Sequence, residues 1–454
     1  MTKGKVYIEN FGCQMNVADS ERASARLRAA GYELVETSQQ ADVLLFNTCS
    51  VRAKAEQKVF NRIGEVRKNS GGREPLIGVM GCVAQLEGEA VLESAPTVRM
   101  VVGTRATDRL PSLIERALDK GGPLVDTGER EEDEGWNVSP VDRRSPHVAF
   151  VPIVEGCNKF CTYCIVPYSR GRERSRTASE IVGDISRLQA EGYKEVQLIG
   201  QNVNSYRPKT DDGLVGYDGA TPFSRLLRAV AATGMPRIKY TTSFPRDFHA
   251  DIVAAMDENE NLCNWIHLPV QSGSDKVLRA MRRGYKADDY LARVEVVKNA
   301  RRDYSLTSDI IVGFPGETDE DFEDTMRLVE RCQFDSIYIF KYSERKGTPA
   351  AKLPDNVSEE EKALRFKALE ELQRGIQQKV WGRHLAQNLS VLVEAVSTRS
   401  RSDLTGHSSC NKVVNFPGGE DLIGRIVSVR IRELKSHSLY GSPVEEPVAV
   451  SSEV

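Results

Sequence analysis

Nine cysteines in a chain of 454 residues are its most chemically capable side chains, and they fall into groups. Cys157, Cys161 and Cys164 stand as C-x-x-x-C-x-x-C within EGCNKFCTYCIVPYSRGRERSR (155–176). Cys13, Cys49 and Cys82 are widely spaced, and Cys263, Cys332 and Cys410 stand alone and read as ordinary small apolar side chains. A structural zinc site closes with four ligands, typically two separated pairs. No second pair lies near the cluster, and His147 lies ahead of the strand and points the wrong way. Iron–sulfur clusters take one thiolate per iron, so three cysteines on a four-iron cube leave one iron open to a small molecule. The spacing allows both chemistries, and the open cluster leaves fewer ligands to find.

The elements that must position these residues can be read from apolar periodicity. In the first 130 residues the runs KVYIENFG, ADVLLFNT and PLIGVMG read as buried strands, each ahead of a helix-like stretch such as DSERASARLRAAG or RAKAEQKVFNRIGEVRKN. Strand–helix alternation predicts a parallel sheet with helices on its faces. Each run ends at a cysteine: FGCQ at Cys13, NTCS at Cys49, MGCV at Cys82. Equivalent points of successive units share the edge where open sheets bind ligands. Neighbouring strands are about 4.8 Å apart, so the three thiols can converge on one inorganic core. The plainer alternative is three buried cysteines at strand ends. Gly71, Gly72 and Pro75 mark a loop. The acidic, aperiodic GEREEDEGWNVSP (128–140) predicts a linker, placed at 131–145.

Residues 146–380 offer six strands: HVAFVPIVEG, EVQLIGQN, RIKYTTSF, WIHLPVQSG, TSDIIVGF and SIYIFKYS. Amphipathic helix patterns such as SEIVGDISRLQAEG and DEDFEDTMRLVERC separate them, which predicts an incomplete (β/α)6 barrel in an α/β chain. Barrel chemistry sits at the carboxyl ends of the strands. The cysteine cluster lies there, followed by Gly200-Gln201-Asn202, Thr242-Ser243, Gln271-Ser272-Gly273 and Gly313-Phe314-Pro315-Gly316-Glu317. Each alone reads as a turn; together on one rim they make a pocket.

In 381–445, LSVLVEAVS, KVVNFPG and LIGRIVSVRIRELK predict a small antiparallel barrel of the OB-like kind, which often binds RNA. Lys412, Arg425, Arg430, Arg432 and Lys435 are its candidate phosphate contacts. Phe416 is a stacking candidate or a core residue, and Arg399 and Arg401 flank a turn. Beside the cysteine cluster, Arg170, Arg172, Arg174 and Arg176 read either as a grip on nucleic acid or as a solvated loop.

The cysteine spacing with an aromatic at Tyr163, at the end of the first barrel strand, resembles the radical S-adenosylmethionine (SAM) superfamily. FGCQMNVADSE (11–21), NTCSVRAKAEQK (47–58), LIGQNVNSY (198–206), HLPVQSGSDKVLRAMRRGY (267–285), DIIVGFPGET (309–318) and YSERKGTPA (342–350) narrow the resemblance to the methylthiotransferases. The C-terminal module resembles the TRAM domain, an RNA-binding barrel.

The resemblance implies two 4Fe-4S clusters, one on Cys157, Cys161 and Cys164 that cleaves SAM to a 5'-deoxyadenosyl radical, and an auxiliary one on Cys13, Cys49 and Cys82 that carries sulfur. It implies two SAM molecules per turnover, one the radical source and one the methyl donor, and a SAM pocket using Tyr163, Gly200, Gln201, Ser243, Gln271, Gly313 and Glu317. The implied substrate is an isopentenylated adenine beside the anticodon of tRNA. Family members acting on threonylcarbamoyl-adenosine in tRNA, or on a ribosomal-protein aspartate, share these domains; GCQMN and CNKVVNFPG favour tRNA over the protein substrate, and the threonylcarbamoyl-adenosine member stays a close second. A low-potential electron donor of flavodoxin or ferredoxin type and sulfur- or cluster-delivery proteins are the implied partners. From another class, an RNA-binding or electron-transfer protein could carry two clusters, but the rim glycines and Tyr163 argue against it.

Bulk properties agree. Hydrophobic residues make up 40% and charged residues 28% of the chain, which describes a soluble globular protein. No run of eighteen apolar residues suggests a membrane span. The N-terminus enters a strand pattern with no apolar leader, which predicts a cytoplasmic protein, where disulfides are rare, and a monomer is expected. With a net charge of -3, any nucleic-acid contact rests on local basic patches.

Overall fold

Short β-branched runs alternating with amphipathic stretches build two parallel α/β bodies, and a polar, strand-rich tail builds a third. A computed structural model describes residues 3–50, 53–69, 74–120, 122–129 and 143–444. Most of the expected linker, 130–142, and the Gly71-Gly72 loop lie outside these residues.

The N-terminal sheet comprises β1 (Lys5–Asn10), β2 (Glu33–Leu34), β3 (Val43–Thr48), β4 (Leu76–Gly81), β5 (Val98–Gly103) and β6 (Leu124–Asp126). It is six-stranded, in the order β2-β1-β3-β4-β5-β6, and its strand pairs are parallel. The cysteine-bearing strands β1, β3 and β4 are therefore immediate neighbours. β2 and β6 are too short to show a period in the sequence, and β5 was not among the expected runs. Helices Gln14–Ala29 and Leu110–Lys120 cover one face through Ala23, Leu27, Leu113 and Ala117.

The central body holds β7 (Val148–Pro152), the ribbon β8 (Val154–Glu155) and β9 (Arg174–Ser175), then β10 (Glu195–Ile199), β11 (Arg237–Tyr240), β12 (Trp265–His267), β13 (Ser305–Val312) and β14 (Ser336–Lys341). Two parallel three-stranded sheets, β11-β10-β7 and β12-β13-β14, join where Ile238 bridges Leu262 and the Ser243 amide donates to the His267 carbonyl. All six expected strands form, and the barrel stays open between β7 and β14. Helix Gln14–Ala29 lies against β7, with Met15 and Ala18 packed on Ile199 and Phe150. Helix Glu359–Trp381, which the strand pattern did not single out, packs against β14.

The C-terminal body is a closed barrel of β15 (Asn388–Val396), β16 (Asp403–Ser408), β17 (Val413–Pro417), β18 (Ile426–Leu434) and β19 (Leu439–Pro443), ordered β15-β16-β17-β19-β18. The expectation of an antiparallel barrel needs one correction, since β17 and β19 pair in parallel. Five strands in a ring cannot alternate direction all the way round, so one parallel pair is unavoidable. Phe416 is fully buried in this barrel's core with Val391, Val414 and Val429, so it is not a stacking platform.

The barrel docks beneath the central body through charge. Lys412, expected on the RNA surface, is buried and pairs with Asp335 at 2.7 Å. Arg383 reaches the same carboxylate at 3.0 Å, and Arg237 donates to the His407 carbonyl at 2.9 Å. Beside this network His384 is buried, and burial with the Lys412 and Arg383 cations lowers its pKa from 6.5 to about 4. Unfolding lets His384 take up a proton at its ordinary pKa, so the unfolded chain binds more protons between pH 6.5 and about 4. Asp335, which Lys412 and Arg383 hold below the usual carboxylate range against the opposing effect of burial, extends the loss to lower pH. Calorimetry should show the thermal midpoint falling across that interval, and His384→Gln should flatten the slope.

Candidate active site

Cys13 precedes helix Gln14–Ala29 as its N-terminal cap, Cys49 follows β3, and Cys82 opens helix Cys82–Glu87. Buried asparagines hold these ends together. Asn16 Nδ2 donates to Asn47 Oδ1 at 3.0 Å and to the Thr48 carbonyl at 2.9 Å, and Asn47 Nδ2 returns a bond to the Asn16 carbonyl at 2.8 Å. Losing one partner leaves the other unsatisfied and buried, at about 1–3 kcal/mol. Gly81 has φ +95°, and a Cβ there would run into Asn47 Oδ1, so only glycine lets β4 turn Cys82 toward Cys49. The Cys13 thiol is held down to about 6, chiefly by a hydrogen bond with Cys49 and also by the Arg170 cation, while burial pushes Cys82 up.

The second trio lies in the loop framed by the ribbon β8–β9. Gly156 has φ +79°, and a Cβ there would strike the Arg172 carbonyl. Asn202 Nδ2 donates to Cys157 Sγ at 3.1 Å, and the Lys159 amide donates to the same sulfur at 3.4 Å. Burial pushes Cys164 up to about 12. Arg283, 5% exposed, donates to Cys161 Sγ at 3.4 Å, to Tyr163 Oη at 3.3 Å and to the Pro269 carbonyl at 2.8 Å. Its guanidinium also lies 4.4 Å from the Phe244 ring centroid. Among the described residues no carboxylate lies within ion-pair distance of it. A buried cation calls for a compensating charge, and Arg283 faces the Cys161 sulfur, where thiolates holding a bound cluster would offset it.

All six cysteines line one cavity of about 320 Å³, the N-terminal sheet supplying one trio and the barrel the other. Tyr163, Gly200, Gln201, Ser243 and Gln271 line it too. Gln201 Oε1 and Ser243 Oγ are buried there without a hydrogen-bond partner, which buried polar atoms seldom tolerate. Ile199, Phe244 and Pro269 supply apolar wall. Gly313 and Glu317, expected in the pocket, are elsewhere. Glu317 accepts from the Gly313 amide at 2.8 Å and pairs with Arg365 at 2.7 Å, and a Cβ at Gly313 would collide with Lys362, so both clamp the end of β13 to helix Glu359–Trp381.

The arginine series divides. Arg170 is buried and pairs with Asp19 of the N-terminal helix at 2.6 Å, beside Cys13 and Cys82. Arg176 is buried against Asp184 at 2.7 Å and donates to the Pro152 carbonyl. Arg174 pairs with Glu155 at 3.4 Å. Only Arg172 of the four is exposed. In the C-terminal barrel Arg399, Arg401, Arg425, Arg430, Arg432 and Lys435 are exposed. The sequence reading missed Asn16, Asn47, Arg283 and Asp309; Asn202 was on the expected rim, and Asn202, Arg283 and Asp309 all line the cavity. Asn16, Asn47, Arg283 and Asp309 all lie inside the motif stretches given above, but nothing periodic marks them.

Family models match three stretches: the uncharacterized protein family UPF0004 over residues 5–103, the radical SAM superfamily over 151–329 and the TRAM domain over 384–444. The tRNA-2-methylthio-N(6)-dimethylallyladenosine synthase of Solibacter usitatus is 46% identical over 439 residues, covering 96% of this chain and 97% of that one. Its counterpart in Clostridium tetani is 43% identical over 447 residues, covering 97% of each. This chain belongs to that family. Among solved structures, the radical SAM methyltransferase TsrM of Kitasatospora setae aligns with TM-score 0.55 at 13% identity, over 76% of this chain and 75% of that one. The cobalamin-dependent SAM radical enzyme OxsB aligns with TM-score 0.51 at 11% identity, over 83% of this chain and 56% of that one. These two share the fold.

The chain is a radical SAM enzyme, and that superfamily implies a 4Fe-4S cluster and SAM. The residues present fit such groups. The six thiols line one cavity, three from each body, and thiolates are the ligands that iron–sulfur clusters take. The two orphaned oxygens await polar partners, and a buried arginine accompanies each trio. No described helix is long and apolar enough to cross a membrane.

Arg170→Met should separate the structural role from the expected RNA role. It strands Asp19 as a buried charge, at about 3–5 kcal/mol, so the denaturant midpoint should fall while the salt dependence of tRNA binding stays unchanged.

Proposed function

We propose that this chain converts N6-dimethylallyladenosine beside the anticodon of tRNA to its 2-methylthio derivative, using two 4Fe-4S clusters and two SAM molecules per turnover. The convergence of both cysteine trios on one cavity carries the reading. When bound, these cofactors supply one-electron cleavage of the sulfonium, the transferable sulfur and the methyl group.

The protein's own residues do the positioning. Cys157, Cys161 and Cys164 would hold one cluster and Cys13, Cys49 and Cys82 the other. Arg283 and Arg170 offset the thiolate charge of each trio. Gln201 and Ser243 offer their unpartnered oxygens to the polar ends of SAM, and Gln271 adds an amide. Gly200 presses its backbone on Val154, where a Cβ would meet the carbonyl at 2.8 Å. Tyr163 and Phe244 wall the cavity and, with Ile199, exclude water, which protects a reactive species from side reactions.

The tRNA arm is read by exposed cations. A groove of about 1310 Å³ runs between β14, helix Glu359–Trp381 and the C-terminal barrel, lined by Arg374, Arg399, Lys435, Tyr338 and Phe340. Aromatic faces between cations suit RNA. Arg172, Arg425, Arg430 and Arg432 extend the basic surface. The electrons come from a flavodoxin- or ferredoxin-type donor, and delivery proteins restore the sulfur.

The test is anaerobic reconstitution followed by assay on dimethylallylated tRNA, with mass spectrometry of the nucleosides. The wild type should hold about eight irons, four per cluster, and yield the 2-methylthio nucleoside. Cys49→Ala should lose about half the iron and all methylthiolation while still producing 5'-deoxyadenosine. Cys161→Ala should lose SAM cleavage, and Cys410→Ala, buried in the C-terminal body, should lose neither. Methylthiolation by Cys49→Ala would overturn the sulfur role.

A further inference from the structure

Two large aromatic side chains of the cysteine loop are left in solvent. Phe160 is 48% exposed and Tyr168 43% exposed, and they meet edge to face with centroids 6.4 Å apart at 81°. Phe160 sits between the cavity-lining Lys159 and Cys161, and Tyr168 between the cavity-lining Val166 and Ser169. The pair therefore stands at the cavity's lip. Phe160 also has φ +48°, a backbone state that is a true outlier for a bulky side chain. Strain of this kind persists where the surroundings enforce it and concentrates at binding sites. Here it turns an apolar ring outward, where folding gains nothing from it. Arg172, Arg246 and Arg282 are exposed around the same lip: Arg246 lies over the cavity-lining Phe244, Arg282 adjoins the cavity-lining Arg283, and the Arg172 carbonyl abuts Gly156. A polyanion can approach here, and the apolar corner must face something on it.

Resting on the function proposed above, we infer that Phe160 and Tyr168 form the corner that receives the dimethylallyl tail of the target adenosine. The reacting carbon 2 must face the thiol-lined cavity. The N6 substituent leaves the ring on the other side of N1, so a base entering with carbon 2 foremost carries its tail back toward the lip. A branched five-carbon alkenyl group matches an open right-angled aromatic corner, and unmodified adenosine leaves that corner in water. The pair thus selects prenylated over unprenylated tRNA.

Binding of the reconstituted holoprotein to dimethylallylated and unmodified copies of one tRNA, at fixed salt, tests the inference. The wild type should prefer the prenylated RNA by about tenfold or more, the discrimination expected of an apolar pocket. Phe160→Ala should remove most of that preference, with affinity for the unmodified RNA retained, and Phe160→Leu should keep part of it. Tyr168→Ala, outside the cysteine spacing, should act the same way and guards against a misfolded loop. Equal losses for both RNAs would mean that the rings stack on a base, and overturn the tail assignment. An unchanged preference in both variants, or a wild type with no preference, would also overturn it. Wild-type protein that makes no methylthio nucleoside would instead refute the function proposed above.

Discussion

The buried ion pair between Arg170 and Asp19 is the contact on which the site depends. One partner belongs to the barrel's cysteine loop, the other to the helix that begins at Cys13, and they meet at 2.6 Å beside Cys13 and Cys82. Each trio is assembled locally, one by three neighbouring strand ends, the other by a single loop. Neither local event brings the trios face to face. Buried charges are unforgiving of displacement, because each loses its partner in a low-dielectric surround. That geometry fixes the docking more sharply than the small apolar patch of Met15, Ala18 and Ile199 could. The Gln14 amide donating to Gln197 at 2.9 Å and Thr104 donating to the Ser169 carbonyl at 2.6 Å add direction to the same interface.

The thiols were legible in the sequence because their chemistry demands a residue type at a fixed spacing, and the strands because burial on both faces leaves continuous apolar runs. The groups that make the thiols usable were not. Asn16, Asn47 and Arg283 act through contacts with residues far away in the chain, and no period records such contacts. Charge was the most misleading signal. Arg170, Arg176 and Lys412 look like a basic surface in the chain and are buried structural cations in the fold, while Arg172 beside two of them is exposed. A sequence states that a charge exists but not where its counter-charge lies. Gly313 and Glu317 illustrate the same limit: a rim position was readable, but not that Arg365 would claim the carboxylate.

Backbone strain gathers at the same place. Of the seven described non-glycine residues with positive φ, four are Phe160, Thr242, Gln271 and Arg282. Thr242 and Gln271 line the cavity, and the other two adjoin residues that do. The surroundings hold them: the Thr162 amide donates to the Met281 carbonyl at 3.1 Å, and the Gln271 amide to the Asp309 carbonyl at 2.9 Å. At Thr242 and Gln271, shortly past the ends of β11 and β12, the turned backbone places both residues on the cavity wall.

The placement of the C-terminal barrel follows from what the floor of the central barrel leaves available. Strands β11, β13 and β14 begin there at Arg237, Ser305 and Ser336, and the turn from Ser408 to Lys412 answers them with the His407 carbonyl, Asn411 and Lys412. A module hung on a flexible tether would let the RNA arm sample many distances from the cavity. One pinned by a buried lysine–aspartate pair sets that distance. Tyr338, exposed on the groove that the module forms with β14, meets the buried His267 edge-on at 6.1 Å. His267 in turn reaches the cavity-lining Asp309 at 3.6 Å. Three side chains thus bridge the groove and the thiol cavity, so an RNA seated in the proposed groove would be held at a set distance from the thiols.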